Sequence, residues 1–470
     1  MKQQTIKNLL QIIPIQIIIS FFLLHSTIAK TIYLGNYPKD REPGWSDECQ
    51  GITHDKSFWY VTQKNRLWKF PVSFDLNKQV PASIKRVGIP SFLKNKKYDH
   101  FGDLAYYNGY LFIPLEHEHY KLPPKIVVFK AHDLSFVSEA NLDASRGGSH
   151  AMSCAINPKN GLLYVAQFRH GHASSIRVLI YRQRITNGRL KLQYIRKMAF
   201  FREDGQTPLY PRSIQGLSFS RTSGLLYLVS DIGTKGGIFV FDPTNGRKLK
   251  RIKVDYDPEI CFFRCWRREE LEGLTIWDLD NGRAPNIKGQ VHLIMIDNVG
   301  TGDDDLYFKH FLVPGEKHLS GIEDCLPINH KKLKVRKRGS YWELVDNRRI
   351  INQTKTKSEA ERAKQIIEHY KIDRQCFNGR PHPSMEYYLV NGRSPEGPMA
   401  EEDCVRFNPS LIEMKWVKGR WKIVEGDHWI LDFGNEGLEC LSALHIIKKY
   451  GFKHICFTKR PNPSMVYFRK

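Results

Sequence analysis

The sequence predicts a mainly β protein, with a β-propeller followed by a smaller α+β domain of two repeats. Three observations predict this architecture. Short β-type runs recur at intervals of about 50 residues in the first part of the chain, with no helical periodicity between them. The phrase GRPHPSMEYYL (Gly379–Leu389) returns near the C-terminus as KRPNPSMVYFR (Lys459–Arg469). A dense basic run, HKKLKVRKRG (His330–Gly339), separates the two regions.

The N-terminal segment, residues 1–29, is predicted to be a secretory signal peptide. Lys2 and Lys7 precede an apolar run, and Thr27-Ile28-Ala29 offers a small-x-small cleavage site. An uncleaved N-terminal anchor is the alternative, because the run is almost long enough to span a membrane. No later run is as long, so we expect a secreted, extracellular protein without a membrane span.

Nine cysteines in an exported chain predict disulfide bonds and leave at least one thiol without an intramolecular partner. Cys261 and Cys265 are close enough in sequence to pair locally. The sequence does not fix the connectivity.

The propeller is predicted over residues 30–328. Five runs share a small or turn-prone residue, then an apolar residue, then a small one: QGITHD, GDLAYY, MSCAIN, QGLSFS and EGLTIW. The first positions of this repeat are Gly51, Asp103, Ser153, Gly216 and Gly273, and the third positions are Thr53, Ala105, Ala155, Ser218 and Thr275. Small residues suit the innermost strand of a blade, where neighbouring blades crowd around the axis.

The fifth unit is one strand short, and the run TIYLGNY (Thr31–Tyr37) is predicted to supply the missing strand. We therefore favour five blades, with six as the alternative.

A polar funnel is predicted at one mouth of the propeller channel, where inner strands start and second strands end. Its candidate site residues are Glu48, His100, Asp103, Glu116, His150, Asp231, Glu270 and Glu272. Carboxylates and imidazoles in one funnel are suited to holding a divalent cation such as Ca²⁺, or to acid–base chemistry. A solvated polar channel without chemistry is the alternative. The sequence contains no nucleophile elbow, HExxH motif or phosphate-binding loop.

The formal net charge of +23 raises the question of a polyanionic partner. In a secreted protein, nucleic acid is the less favoured partner, and an anionic polysaccharide or a membrane surface is more plausible. The basic segment 329–340 is predicted to be a solvated linker.

The C-terminal region, residues 341–470, is predicted to contain two α+β repeats, at 341–390 and 420–470. The segments EAERAKQIIEHY and ECLSALHIIKKY each place apolar residues on one helical face. The repeated Arg-Pro-x-Pro-Ser-Met phrase then forms a rigid turn between the last two strands.

Four residues of this region are ligand candidates. Arg380 and Arg460 either anchor the repeated turn or present a guanidinium to an anionic ligand. Trp421 and Trp429 either stack on sugar rings or pack in the core.

The Arg-Pro-x-Pro-Ser-Met turn after a Cys-Phe strand resembles a tandem repeat found at the C-termini of secreted microbial-type proteins, a family without an established activity. The resemblance covers Tyr341–Lys470 and implies no catalytic residue. The N-terminal region resembles, in a generic way, propellers of the lactonase and strictosidine-synthase-like kind.

The sequence therefore favours a secreted ligand-binding protein, with carbohydrate as the favoured ligand, that uses the propeller funnel and the duplicated module. The alternative function is a metal-dependent hydrolase of the lactonase or esterase type, with its site in the funnel.

Overall fold

The computed structural model describes residues 31–38, 45, 48–169, 176–232, 235–256, 267–299, 303–319, 324–380 and 382–470. The predicted signal peptide and the pair Cys261 and Cys265 lie outside the described residues. Among the described residues, no helix is long and apolar enough to cross a membrane.

The N-terminal region is mainly β and consists of small antiparallel sheets. It begins with β1 (Ile32–Asn36). Sheet 1 contains β2 (Cys49–His54), β3 (Phe58–Gln63), β4 (Arg66–Pro71) and β5 (Lys85–Gly88). After the short helix α1 (Ser91–Lys94), sheet 2 contains β6 (Tyr98–Phe101), β7 (Ala105–Tyr107), β8 (Tyr110–His117), β9 (Lys125–Lys130) and β10 (Phe136–Asn141).

The next sheets follow in chain order. After α2 (Ala144–Gly147), sheet 3 contains β11 (His150–Ile156), β12 (Leu162–Phe168), β13 (Arg177–Thr186) and β14 (Arg189–Lys197). A small pair consists of β15 (Phe200–Phe201) and β16 (Pro208–Leu209). Sheet 4 contains β17 (Ile214–Phe219), β18 (Leu226–Ser230), β19 (Gly237–Phe241) and β20 (Lys248–Ile252). Sheet 5 contains β21 (Arg267–Ile276), β22 (Val291–Val299) and β23 (Asp303–Leu312), and α3 (Pro314–Leu319) follows it.

The N-terminal strand β1 completes sheet 5. It pairs antiparallel with β23, with Ile32 opposite Leu312. The prediction that the run Thr31–Tyr37 supplies the missing strand is therefore confirmed.

The first strands of the five sheets contact one another in cyclic order, which gives a propeller-like arrangement. Strand β2 contacts β7 and β21, and β11 contacts β7 and β17, while β17 also contacts β21. The predicted small residues are required by this crowding. A Cβ atom on Gly51 would lie 2.4 Å from the Cα atom of Asp103, and one on Gly273 would lie 2.6 Å from the Cα atom of Gly51.

The C-terminal module contains two equivalent units. The first contains β24 (Asp324–Pro327), β25 (Leu333–Arg338), β26 (Tyr341–Asp346), β27 (Arg349–Thr354), α4 (Lys357–Tyr370), β28 (Arg374–Asn378) and β29 (Met385–Leu389). The second contains β30 (Asp403–Arg406), β31 (Ile412–Val417), β32 (Arg420–Glu425), β33 (His428–Gly434), α5 (Gly437–Tyr450), β34 (His454–Phe457) and β35 (Val466–Arg469).

Two predicted boundaries differ from the structure. The segment 329–340 is not a linker, because β25 pairs along its whole length with β26 and buries Leu333 against α4. Each unit also starts earlier than predicted, at β24 and at β30. These strands pair with β28 and β34, so the predicted starts at 341 and 420 each omit two strands.

The helices bury the faces that the sequence predicts. Ala363, Ile366 and Ile367 of α4 are fully buried, and Ala443 and Ile447 of α5 are equally so. The helix α4 begins after Thr356, whose hydroxyl accepts a hydrogen bond from the Glu359 amide and so satisfies one free N–H group of the first turn.

Each unit of the module also packs its last strand into the core of the other. The Tyr387 ring of the first unit lies 5.8 Å from Tyr450 of the second, and the Tyr467 ring of the second lies 6.2 Å from Tyr370 of the first. The two repeats therefore pack on each other through equivalent residues.

Candidate functional site

The predicted funnel residues on sheets 2 and 3 lie close together. The Nδ1 atom of His150 is 3.4 Å from Oε1 of Glu116, and the same carboxylate oxygen accepts a hydrogen bond of 2.5 Å from the Ala151 amide. His100 pairs with Glu116 across β6 and β8, and its Nε2 atom is 3.0 Å from Oε1 of Gln50. Burial lowers the pKa of His100, with Glu116 acting in the opposite direction. Burial therefore favours the neutral form of His100, and the Glu116 carboxylate is already bonded to the backbone.

The Asp103 carboxylate occupies the centre of the ring of first strands. Its Oδ1 atom accepts hydrogen bonds from the amides of Ile52 at 3.1 Å and Leu104 at 3.0 Å, and its Oδ2 atom accepts one from Leu217 at 3.0 Å. The side chain is fully buried, and burial raises its pKa well above the usual range, while these three amides lower it. The backbone of Asp103 also bonds to Met152 and Cys154 of β11. Asp103 therefore connects strands of four sheets.

The remaining funnel acids form a looser group. Burial raises the pKa of Glu272 well above its usual value, and the neighbouring carboxylates Glu270, Asp231 and Asp103 raise it further. Asp231 accepts a hydrogen bond of 2.7 Å from the Tyr256 hydroxyl. Glu48 forms a half-exposed ion pair with Lys64 at 3.1 Å.

Among the described residues, the funnel candidates do not form a metal-binding site. A hard cation such as Ca²⁺ needs several oxygen atoms around one point. Among the described residues, the one group of three candidate ligand atoms within 4.8 Å of one another is Glu402, Cys404 and Cys456, and its two sulfur atoms are joined in a disulfide. Glu402 itself accepts hydrogen bonds from Tyr370 and Tyr467.

In the module, both candidate arginines form bidentate ion pairs with aspartate. The guanidinium of Arg380 donates two hydrogen bonds to Asp324, and that of Arg460 donates two to Asp403. Each aspartate directly precedes a cysteine that forms a disulfide, Cys325–Cys376 in the first unit and Cys404–Cys456 in the second. The triplet Glu-Asp-Cys occurs at 323–325 and again at 402–404, and this duplication is the sequence signal that could have identified the two aspartate partners.

The two candidate tryptophans have different environments. Trp421 is fully buried, and its indole N–H donates to the Leu249 carbonyl of sheet 4 at 3.1 Å. Trp429 is 43% exposed on the outer face of β33, with the Lys422 ammonium 4.7 Å from its ring centre. Trp429, and not Trp421, is therefore accessible to a ligand.

An exposed basic surface lies on the β13–β14 hairpin, where the sequence reasoning placed no site. The two strands meet at Asn187 and Gly188, which both have positive φ, as a two-residue hairpin turn requires. Arg184 lies opposite Lys191 in the antiparallel register. The four basic side chains of this face, which we call the basic ribbon, are all exposed: Arg182, Arg184, Arg189 and Lys191.

The other face of the hairpin is apolar, and it packs against sheet 2 through Ile185, Leu190 and Leu192. The basic ribbon therefore points outward. None of its four side chains has an ion-pair partner within the described ranges. An Asn-Gly turn flanked by alternating basic residues is the sequence signal that could have identified it.

A cavity of about 200 Å³ lies at the opposite mouth of the ring, where the first strands end. All five predicted third positions of the repeat line it: Thr53, Ala105, Ala155, Ser218 and Thr275. His54, Tyr106 and Arg221 also line this cavity, which we call the axial pocket. The sequence predicts a functional site at the other mouth, in the polar funnel.

Comparison with known proteins gives no family for this chain. No protein-family model matches it, and none of the curated proteins matches it significantly. Among solved structures, a luciferin-regenerating enzyme is 14% identical over 56% of this chain and 76% of its own, with a TM-score of 0.32. A GH43_1 enzyme from Xanthomonas citri complexed with xylose is 13% identical over 57% of this chain and 87% of its own, with a TM-score of 0.36. At such scores these similarities carry no weight for fold or function.

Proposed function

We propose that this protein is a secreted binding protein for an acidic polysaccharide, and that its N-terminal region is a five-bladed propeller. The observation that carries the proposal is the basic ribbon, four exposed cations on one face of a hairpin whose other face is packed. A polymer with regularly spaced carboxylates or sulfates fits such a surface.

The geometry of the ribbon suits an extended ligand. Side chains two residues apart on a strand are separated by roughly 6.5 to 7 Å, and directly opposite side chains by roughly 5 Å. Arg184 and Lys191 are such an opposite pair, with Arg182 and Arg189 on either side. Arginine guanidinium groups bind carboxylate and sulfate through two parallel hydrogen bonds.

The C-terminal module offers further contacts of the same kind. Strand β25, at the edge of its sheet, exposes Lys334, Arg336 and Arg338 on one face, where Glu343 pairs with both arginines. The exposed ring of Trp429 adds an aromatic surface of the type on which sugar rings stack. The formal charge of +23 attracts any polyanion from a distance.

Two features support export. Among the described residues, two disulfides are present, Cys325–Cys376 and Cys404–Cys456, and such bonds persist in oxidising compartments. The N-terminal residues 1–29 have the composition of a signal peptide.

The geometry does not favour the metal-dependent hydrolase. Asp103 binds three backbone amides and Glu116 binds another, so both carboxylates already have a structural role. No three funnel candidates bring ligand atoms together in the described part of the chain.

The test is binding of the full mature protein to polygalacturonate, dextran sulfate, neutral dextran and duplex DNA. We expect binding to polygalacturonate that weakens with salt, because exposed ion pairs are screened. The variant Arg182→Gln/Arg184→Gln/Arg189→Gln should bind about tenfold more weakly, since each exposed pair contributes roughly 0.2 to 1 kcal/mol.

The matched control is Lys78→Gln/Lys130→Gln/Lys253→Gln, which removes three exposed charges that are scattered over sheets 1, 2 and 4. It should change the affinity less than twofold. An equal loss in the control would mean that only the net charge matters and would contradict the proposal. Equal binding of neutral dextran, or tighter binding of DNA than of either acidic polysaccharide, would contradict it as well.

A further inference from the structure

The axial pocket combines features of a binding site for a small ligand. Its wall contains one small residue from each of the five sheets, so the cavity lies on the axis of the ring. Leu104 and Leu217 also line it, and the Asp103 carboxylate binds the amides of both residues. At the level of Asp103 the first strands are too close for even a Cβ atom on Gly51 or Gly273. The pocket is therefore closed at its inner end and open at one mouth.

Three hydroxyl groups in the pocket have unused hydrogen-bonding capacity. Thr53 is 8% exposed and Thr275 is 2% exposed, and both line the cavity together with Ser218. Within the described ranges, no hydrogen bond joins any of these three hydroxyls to the protein, and none of the three oxygen atoms is among the fully buried unpartnered ones, so each is accessible from the cavity. A hydroxyl that faces a cavity without a protein partner is available to a ligand or to water.

Arg221 places a cation at the rim of the pocket. Its Nη2 atom donates a hydrogen bond of 2.9 Å to the His54 carbonyl, and its guanidinium lies 4.8 Å from the centre of the Tyr106 ring. It has no carboxylate within ion-pair distance among the described residues. Burial lowers the pKa of Arg221, and Tyr106 and Asp55 raise it. The Asp55 carboxylate already accepts hydrogen bonds from the Ser57 and Phe58 amides and the Tyr60 hydroxyl.

The imidazole of His54, which also lines the pocket, is neutral at pH 7. Burial lowers the pKa of His54 to about 4, with the positive charge of Arg221 as the next cause. Its Nδ1 and Nε2 atoms face the carbonyls of Asp55 and Ile276. Among the described residues that line the cavity, Arg221 is therefore the one charged side chain.

The volume indicates the size of the ligand. A cavity of about 200 Å³ has room for roughly six or seven waters at about 30 Å³ each, which is the size of one sugar ring rather than of a chain. The neighbouring Tyr106 and Leu217 supply apolar surface for the ring.

We propose that the axial pocket binds a monosaccharide-sized sugar acid. Arg221 holds the carboxylate, and Thr53, Thr275 and Ser218 bind the hydroxyl groups. This site is separate from the basic ribbon, and it does not depend on the proposed polysaccharide binding.

The test is calorimetric titration of the full mature protein with D-glucuronate, D-galacturonate, D-glucose and acetate. We expect one of the two sugar acids to bind with a stoichiometry of one, at least tenfold more tightly than D-glucose or acetate. Arg221→Lys keeps the charge but loses the planar fork, so it should weaken binding of that sugar acid at least tenfold. Thr275→Val, which keeps the shape but removes one hydroxyl, should weaken it roughly three- to tenfold.

The ribbon variant Arg182→Gln/Arg184→Gln/Arg189→Gln is the matched control, and it should bind the sugar acid as the wild-type protein does. Thermal unfolding of each variant identifies any failure to fold, and Thr275→Val provides the test if Arg221→Lys does not fold. The proposal is overturned if neither sugar acid binds at millimolar concentration. It is also overturned if glucose binds equally well, or if acetate alone binds as tightly. Loss of sugar-acid binding in the ribbon variant would assign the ligand to the other site.

Discussion

At the scale of single residues, Asp103 is predicted from the sequence as a metal-binding or acid–base residue, but in the structure its carboxylate binds backbone amides. Its two carboxylate oxygens accept hydrogen bonds from the amides of Ile52, Leu104 and Leu217, which belong to three different sheets. An acceptor with two oxygens satisfies donors that arrive from different directions.

We predict that Asp103→Asn destabilises the protein by about 2 to 3 kcal/mol. The amide group of asparagine keeps one acceptor oxygen but directs its NH₂ group at an amide donor, so a buried hydrogen bond is replaced by a repulsive contact. Urea denaturation at pH 7 measures the change. Asp99→Asn, on the neighbouring strand β6, is the control and should change the free energy of unfolding by less than about 0.5 kcal/mol. Equal stability of Asp103→Asn and wild type would show that the carboxylate is not the connecting element.

At the scale of elements, the repeat of small residues was predictable because it has a direct steric cause. The alignment of Gly51, Gly216 and Gly273 identified the first strands correctly, since no larger residue fits between the sheets. The pairing of β1 with β23 followed from counting strands.

Strand β25 was not predictable in the same way. Its exposed basic residues mask the alternation of Leu333 and Val335, so the sequence predicts a linker at this segment. The roles of Asp103 and of the axial pocket also could not be derived. Both depend on which mouth of the ring the side chains face, and spacing in sequence does not determine that.

The repeated turn at Arg460 gives a prediction at the element scale. Its ion pair with Asp403 is exposed, with 48% and 37% of the two side chains accessible, so the pair should contribute little despite its bidentate geometry. In a double-mutant cycle of Arg460→Gln and Asp403→Asn, measured by urea denaturation, we expect a coupling energy of about 1 kcal/mol or less.

The equivalent cycle of Arg380→Gln and Asp324→Asn is the internal control. That pair is less exposed, at 36% and 27%, and should show the larger coupling. Stability that is unchanged in all four single variants, together with loss of polygalacturonate binding, would make these arginines ligand contacts and contradict the anchoring role.

At the scale of the whole molecule, the module shares one hydrophobic cluster with sheets 4 and 5. It includes Leu249 of sheet 4, Val313 before α3, and Trp421 and Leu438 of the second unit. Gly437 has to be a glycine at this junction, because a Cβ atom would lie 2.3 Å from the Leu249 carbonyl oxygen. These contacts join segments far apart in sequence, so the sequence suggested two separate parts.

A buried acid lies at the same junction. Glu439, in the first turn of α5, is 1% exposed and accepts a hydrogen bond of 3.2 Å from the Ser384 hydroxyl of the first unit. Burial raises its pKa to about 7, Lys250 of sheet 4 and Ser384 act in the opposite direction, and Glu436 raises it further. Lys250 itself forms an ion pair with Glu436.

The pH dependence of stability follows from this shift. Because the pKa of Glu439 is higher in the folded protein than its ordinary value of 4.5, the folded state binds more protons than the unfolded state between pH 4.5 and 7. Its contribution to stability is therefore present at pH 4.5 and is lost as the pH rises to 7 and above, by roughly 3 kcal/mol in total.

We predict that Glu439→Gln removes this dependence. Glutamine cannot ionise, so the variant should lie within about 1 kcal/mol of the wild type at pH 5 and exceed its free energy of unfolding at pH 8 by about 1 to 3 kcal/mol more than at pH 5. Urea denaturation of both proteins at pH 5, 6.5 and 8 measures the difference, in which the contributions of all other groups cancel. Glu401→Gln, an exposed carboxyl group of the same module, should show no such difference. If the wild type were the more stable protein at pH 8, Glu439 would have to be a stabilising carboxylate paired with Lys250, and the folded protein would lower its pKa instead of raising it.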